Sequence, residues 1–149
     1  MQTFIPLPNI RESMIVLDNK RLSNQRREGI TILRGGWKYH PASKMWRDYT
    51  ECLKLYLNLC FEECENRGFV NNTPYYDLGT VIYPYWFNDD KLHKSHRAAL
   101  LYKDYKWYSQ FGWIEKPTIN YYWPQEIYRS SLCNQRNQTC SPLEQQPIG

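Results

Sequence analysis

Residues 42–67 read ASKMWRDYTECLKLYLNLCFEECENR. Met45, Tyr49, Cys52, Leu53, Tyr56, Leu59 and Cys60 recur there at i, i+3 or i+4, and i+7. That spacing puts side chains on one face of an α-helix. Glu63 alone interrupts the stripe, near an end where solvent is close, and Arg67-Gly68 supplies a C-terminal cation and a stop. A long amphipathic helix must bury its apolar face against something, so the flanking segments decide the rest.

On the N-terminal side, Pro6 and Pro8 make residues 1–12 an extended arm. The spacing predicts a helix over 14–34, with Leu22, Gly29 and Leu33 on one side and Gly35-Gly36 as its stop. This helix carries Lys20-Arg21-Leu22-Ser23-Asn24-Gln25-Arg26-Arg27-Glu28, a basic run that closes on one carboxylate. Such a run suits a polyanion, and its acid is either a charge partner or a catalytic group. At 3.6 residues per turn Glu28 shares a polar face with Arg21, Asn24, Gln25 and Thr31. The link Trp37-Lys38-Tyr39-His40-Pro41 leads into the long helix.

On the C-terminal side, residues 69–88 read as an irregular connection rich in Asn, Pro and Tyr. A brief strand is the alternative over the apolar run from Leu78 to Tyr83. Asn88 is a suitable N-cap, with Asp89 and Asp90 in the first turn of a helix over 89–103. A short aromatic helix over 104–111 ends at Gly112. Lys91, His93, Lys94, His96 and Arg97, followed by Trp107, Tyr108 and Phe111, read either as a second nucleic-acid contact or as a solvated face beside a core cluster. The expectation is an all-α fold: a small single domain over 1–128, of about three main helices with long irregular connections, and a polar tail over 129–149.

Length and composition agree with one domain. The chain has 149 residues, 42% hydrophobic, with aromatics at 16%. Tyr and Trp in such excess serve base stacking as well as core filling. The net charge of +4 is small, but Lys and Arg gather at 20–47 and 91–106. No stretch reaches the roughly 18 apolar residues that span a bilayer. The start, Met1-Gln2-Thr3-Phe4-Ile5-Pro6, lacks the features of a signal peptide, so the expected location is the cytosol or nucleus. Cys52, Cys60, Cys64, Cys133 and Cys140 are odd in number and form no CxxC. Cys60 and Cys64 alone cannot complete a four-ligand zinc site, so reduced, buried thiols are expected.

Several segments occur in an order that resembles the pyrimidine-dimer DNA glycosylases of the phage endonuclease V type, and more closely their small bacterial and viral relatives. They are Leu22-x-x-Gln25-x-Arg27-Glu28, and His40-Pro41-Ala42 leading through Met45-Trp46 into a long helix that ends Glu63-Cys64-Glu65-Asn66-Arg67-Gly68-Phe69. The helix from His93 to Tyr102 follows, then Trp107-Tyr108-x-x-Phe111-Gly112. Met1 to Pro6 and Leu17-Asp18-x-Lys20-Arg21-Leu22 resemble the less studied relatives most. The likeness covers about 1–125.

The resemblance implies a single-domain α protein, a monomer without metal or other cofactor, acting on double-stranded DNA with damaged pyrimidines. It implies cleavage of an N-glycosidic bond by the chain's own α-amine, an imine at C1′ of the sugar, and strand nicking by β-elimination. An α-amine has an ordinary pKa of about 7.7–8.0, so much of it is neutral and nucleophilic near pH 7. Because the bulky Gln2 normally prevents removal of the initiator methionine, the amine in question is that of Met1; the alternative is that the amine has lost this role and Glu28 activates water for a monofunctional hydrolysis. By motif position Glu28 is the catalytic carboxylate. Arg26 and Arg27 hold phosphates, and Gln25 stands where the phage enzyme has a carboxylate.

Arg21, Gln25, Arg26, Arg27, His40, Lys94, Arg97, Trp107 and Tyr108 are therefore the expected DNA-contacting set, with Met1 and Glu28 catalytic. For His40 the preferred alternative is a histidine hydrogen-bonded in the turn before its helix. Three readings stay open: a dimer glycosylase with lyase activity, an N-glycosidic-bond enzyme for a different or modified base, and a non-catalytic DNA-binding domain.

Overall fold

Asn9 starts the first helix. Its side-chain oxygen accepts the Glu12 N–H at 2.9 Å and so caps α1 (Ile10–Val16). The computed structural model describes residues 1–124. Five further helices follow: α2 (Asn19–Leu33), α3 (Pro41–Met45), α4 (Thr50–Asn66), α5 (Asp90–Lys103) and α6 (Tyr105–Tyr108). No strand occurs among the described residues. The fold is all-α. The expected domain boundary at 128, the tail, Cys133 and Cys140 lie outside the described residues.

Two helices expected to be continuous are divided. Leu17 and Asp18 are extended, with ψ of 139° and 162°, and they split the helix expected over 14–34 into α1 and α2. Asp18 is held out of helical geometry: its N–H donates to the Tyr108 hydroxyl at 3.0 Å, and its carboxylate accepts from that hydroxyl and from Arg21. The freed carbonyls at the end of α1 are collected by Arg67, which donates to Met14, Ile15 and Leu17 at 3.2, 2.9 and 2.7 Å.

The helix expected over 42–67 divides at residues 46–49 into α3 and α4. There Trp46 turns into the core, 1% exposed, and its indole N–H donates to the Thr3 hydroxyl at 2.9 Å.

Elsewhere the differences are small. α5 is capped by Asp89, which accepts the Lys91 N–H, rather than by Asn88. The run from Leu78 to Tyr83 makes no strand. It belongs to a strap pinned onto α4, where Asn58 exchanges bonds with Tyr76 at 2.9 and 2.8 Å and Glu51 accepts the Gly79 N–H at 2.8 Å.

α2 crosses α4 closely at Gly29, where an added Cβ would lie 2.6 Å from Leu57 Cδ2. Leu22, Trp46, Leu53, Tyr56, Trp86 and Leu100 fill the core around this contact. Each such side chain contributes about 1.5–3 kcal/mol on burial. Cys52, Cys60 and Cys64 are free, buried thiols, and burial pushes the Cys52 pKa up to about 12.

Candidate active site

The N-terminal arm is the most buried irregular segment of the described residues. Gln2, Thr3, Phe4 and Ile5 are 4%, 0%, 4% and 0% exposed. Buried backbone N–H and C=O groups need partners, and no strand supplies them here. Side chains do so from three helices.

From α2, Gln25 Oε1 accepts the Phe4 N–H at 2.9 Å. From α4, the Tyr56 hydroxyl lies 3.0 Å from the Phe4 carbonyl and 2.7 Å from Gln25 Oε1. Burial holds the Tyr56 phenol well above its ordinary pKa, so it stays a donor.

From α5, His96 Nδ1 accepts the Ile5 N–H at 2.9 Å, His93 Nδ1 faces the Ile5 carbonyl at 2.7 Å, and Arg97 donates to the Pro6 carbonyl at 2.8 Å. Burial, with His93 beside it, lowers the His96 pKa to about 3. The ring is therefore neutral, as an acceptor Nδ1 requires.

The arm thus ends in a fixed mount. Met1 emerges from it into a cleft of about 230 Å³, whose floor includes Gln2, Phe4 and Gln25. One wall is the row Lys20, Asn24 and Glu28, spaced i, i+4, i+8 along α2. Arg21 stands beside that row, and Lys103 and Tyr121 close the other side. The cleft therefore holds an amine, a carboxylate, three cations and two aromatic rings.

His40 caps α3, its Nδ1 accepting the Ala42 N–H at 3.0 Å, while its ring meets Trp123 edge-on at 5.9 Å. Its pKa is lowered first by burial and then by the positive N-terminus, with Glu28 acting in the opposite sense. His40 therefore lies within electrostatic reach of both the amine and the carboxylate, on a third element of chain.

The other expected DNA contacts divide. Arg21 lines the cleft, although Asp18 engages it at 3.3 Å. Arg27 is exposed and donates to Oδ1 of the cleft-lining Asn24 at 2.6 Å. Arg26 turns the other way, to the Val70 carbonyl at 3.0 Å. Lys94 is exposed and paired with Asp90 at 2.9 Å.

Other residues are engaged inside the fold. Gln25, 1% exposed, lies in the cleft floor with its side-chain oxygen turned to the arm. Tyr108, 0% exposed, stacks on Trp113 at 5.6 Å and is bonded to Asp18, so no base can reach its ring. Arg97 is committed to Pro6 and, at 2.6 Å, to Glu115. His93 and His96, read as part of a basic face, are core residues holding the arm.

Trp107 keeps 37% exposure, but its indole N–H donates to the Val16 carbonyl at 2.8 Å, which makes it a cap for α1. Lys20 and Asn24 were legible as neighbours of Glu28 on one helix row. Lys103 and Tyr121 come from distant chain, and no local pattern announces them.

No helix among the described residues is long and apolar enough to cross a membrane. A family model described as pyrimidine dimer DNA glycosylase matches residues 1–77. That span contains the arm, the whole α2 row, His40 and α4. No curated protein and no solved structure gave a match.

Proposed function

The chain belongs to the pyrimidine dimer DNA glycosylase family, and on that footing we propose that it excises damaged pyrimidines from duplex DNA through the α-amine of Met1 and the carboxylate of Glu28, then nicks the strand as an AP lyase. The observation that carries this reading is the arm. Side chains from three helices hold its backbone at Phe4, Ile5 and Pro6, and it delivers Met1 to the cleft that Glu28 lines. A firm mount suits a nucleophile, because a fixed approach removes much of the entropic barrier.

In this reading the neutral amine attacks C1′ as the C1′–N bond to the base breaks. The base leaves with the bonding pair and takes up a proton. The sugar ring then opens between C1′ and O4′, O4′ gains a proton, and C1′ is left as an imine to the Met1 nitrogen. Loss of a C2′ proton expels the 3′ phosphate by β-elimination, and water releases the amine. Glu28 stabilises the cationic sugar and carries protons between these steps. Arg21, Arg27 and Lys20 face the strand's phosphates. The base must leave the stack for the amine to reach C1′.

The test is borohydride trapping on duplex DNA bearing a cyclobutane dimer or an abasic site. A covalent adduct on the N-terminal peptide is expected, and Glu28→Gln should lower turnover roughly 10²- to 10⁴-fold while DNA binding stays within a few-fold. No adduct, together with unnicked dimer DNA, overturns the proposal. An adduct on abasic DNA with dimer DNA left intact moves the substrate to a different base.

A further inference from the structure

The link between α2 and α3 is held by several hydrogen bonds, yet it displays large aromatic rings to solvent. Trp37 is 62% exposed and Tyr39 79% exposed, in a chain whose other tryptophans largely pack or cap. The backbone beneath them is fixed at several points. Gly36 N–H donates to the Thr31 carbonyl at 2.9 Å, His40 N–H to the Trp37 carbonyl at 2.9 Å, and the Ser43 hydroxyl to the Gly36 carbonyl at 3.2 Å.

Trp37 also has φ of 55°. Bulky residues rarely adopt this left-handed conformation, and it is tolerated where the surrounding bonds impose it. Burying an indole could repay that strain, but here the ring stays in water.

The surroundings indicate what would cover these rings. Lys38 Nζ sits 5.8 Å from the Tyr39 ring centre, and Arg47 donates to the Lys38 carbonyl at 3.2 Å. Arg34 immediately precedes the loop. Exposed aromatic faces interleaved with cations are the make-up of a surface that stacks unpaired bases while engaging their phosphates. The loop also leads directly into His40, which feels both the N-terminus and Glu28.

We propose that Trp37 and Tyr39 form a stacking platform for an unstacked nucleobase of the DNA bound at the neighbouring cleft, with Lys38, Arg34 and Arg47 supporting its phosphates. The inference rests on the functional reading above only in taking DNA as the partner. When a base leaves the duplex or is missing, the base that stood opposite it needs a new stacking surface. A loop pinned to the end of α2 by these bonds and running into His40 supplies one.

The test uses the full chain and a duplex with a tetrahydrofuran site, which cannot form an imine, opposite 2-aminopurine. Trp37→Ala and Tyr39→Ala should each weaken binding by roughly 5- to 150-fold, the loss of one stacked base. Both should leave the salt dependence unchanged and blunt the change in 2-aminopurine emission. Trp37→Phe should restore most of the affinity.

Trp37→Gly, which also removes the positive-φ strain, should melt no lower than Trp37→Ala, so lost binding is separable from lost folding. Unchanged affinity and emission in both alanine variants overturns the platform. So does a loss of self-association in those variants without any change on DNA, which would make the patch a protein contact. Borohydride trapping reports separately: platform variants that bind weakly beside a wild type that traps nothing would sink the imine chemistry and leave the platform standing.

Discussion

Replacing Gln25 with Leu probes the link between fold and chemistry directly. Gln25 Oε1 accepts two bonds in the core, from Phe4 N–H at 2.9 Å and from the Tyr56 hydroxyl at 2.7 Å. Leu has nearly the same volume, so the packing loss is small, and the chief cost is a buried Phe4 N–H left without an acceptor. Tyr56 keeps the Phe4 carbonyl at 3.0 Å as its alternative partner.

One orphaned buried donor costs about 1–3 kcal/mol. For a domain of this size each kcal/mol lowers Tm by about 2–4 °C, so a fall of roughly 2–12 °C is expected. The larger effect should be kinetic. A reacting group displaced by about 1 Å can lose on the order of 10²-fold in rate, so adduct formation at saturating DNA should drop 10- to 100-fold, with DNA affinity nearly unchanged.

Gln25→Glu keeps an acceptor oxygen toward Phe4 and should fall between wild type and Gln25→Leu. The assays are thermal unfolding and single-turnover borohydride trapping on abasic DNA. Full trapping rate in a Gln25→Leu protein that has lost stability would refute the idea that this bond aims the amine. Unchanged Tm would refute the burial argument itself.

Acid should weaken the same mount. The folded pKa of His96 is about 3 against an ordinary 6.5, so the unfolded chain alone gains a proton as pH falls through that range. The stability is fully present above pH 6.5 and is lost on acidification, at up to about 1.4 kcal/mol per pH unit. Urea unfolding between pH 6.5 and 4.5 should be less steeply pH-dependent in His96→Gln, and parallel curves would refute this. Arg97→Lys and Lys20→Ala should differ in kind. The first removes the fork between Pro6 and Glu115, so trapping slows while the salt dependence of binding stays unchanged. The second removes a cleft cation, so the log–log salt slope should become shallower by about 0.9, with trapping at saturating DNA unaffected.

These expectations turn on a distinction that periodicity alone does not draw. The 3.6-residue repeat placed Glu28, Asn24 and Arg21 together, and all three line the cleft. It placed Gln25 on that face as well, and Gln25 does reach the cleft floor, but its side-chain oxygen is spent on the arm, because α2 is covered twice. α4 takes the side with Leu22 and Gly29, and the arm takes Gln25. A sequence marks one apolar stripe on such a helix; it does not mark a second contact made by a polar side chain with a distant backbone.

The same limit explains α5. His93, His96 and Arg97 look like a basic face because their partners, Phe87 and residues 5 and 6, are invisible to local patterning. Trp107 and Tyr108 show a related ambiguity: an amphipathic ring suits a base or a buried carboxylate equally well, and Asp18, 90 residues away, made the choice for Tyr108. Gln25, His93, His96 and Arg97 brace the arm, and Trp107 and Tyr108 brace the helix junction beside it. With Tyr108 buried in that scaffold, the proposed stacking platform rests instead on the exposed rings of Trp37 and Tyr39.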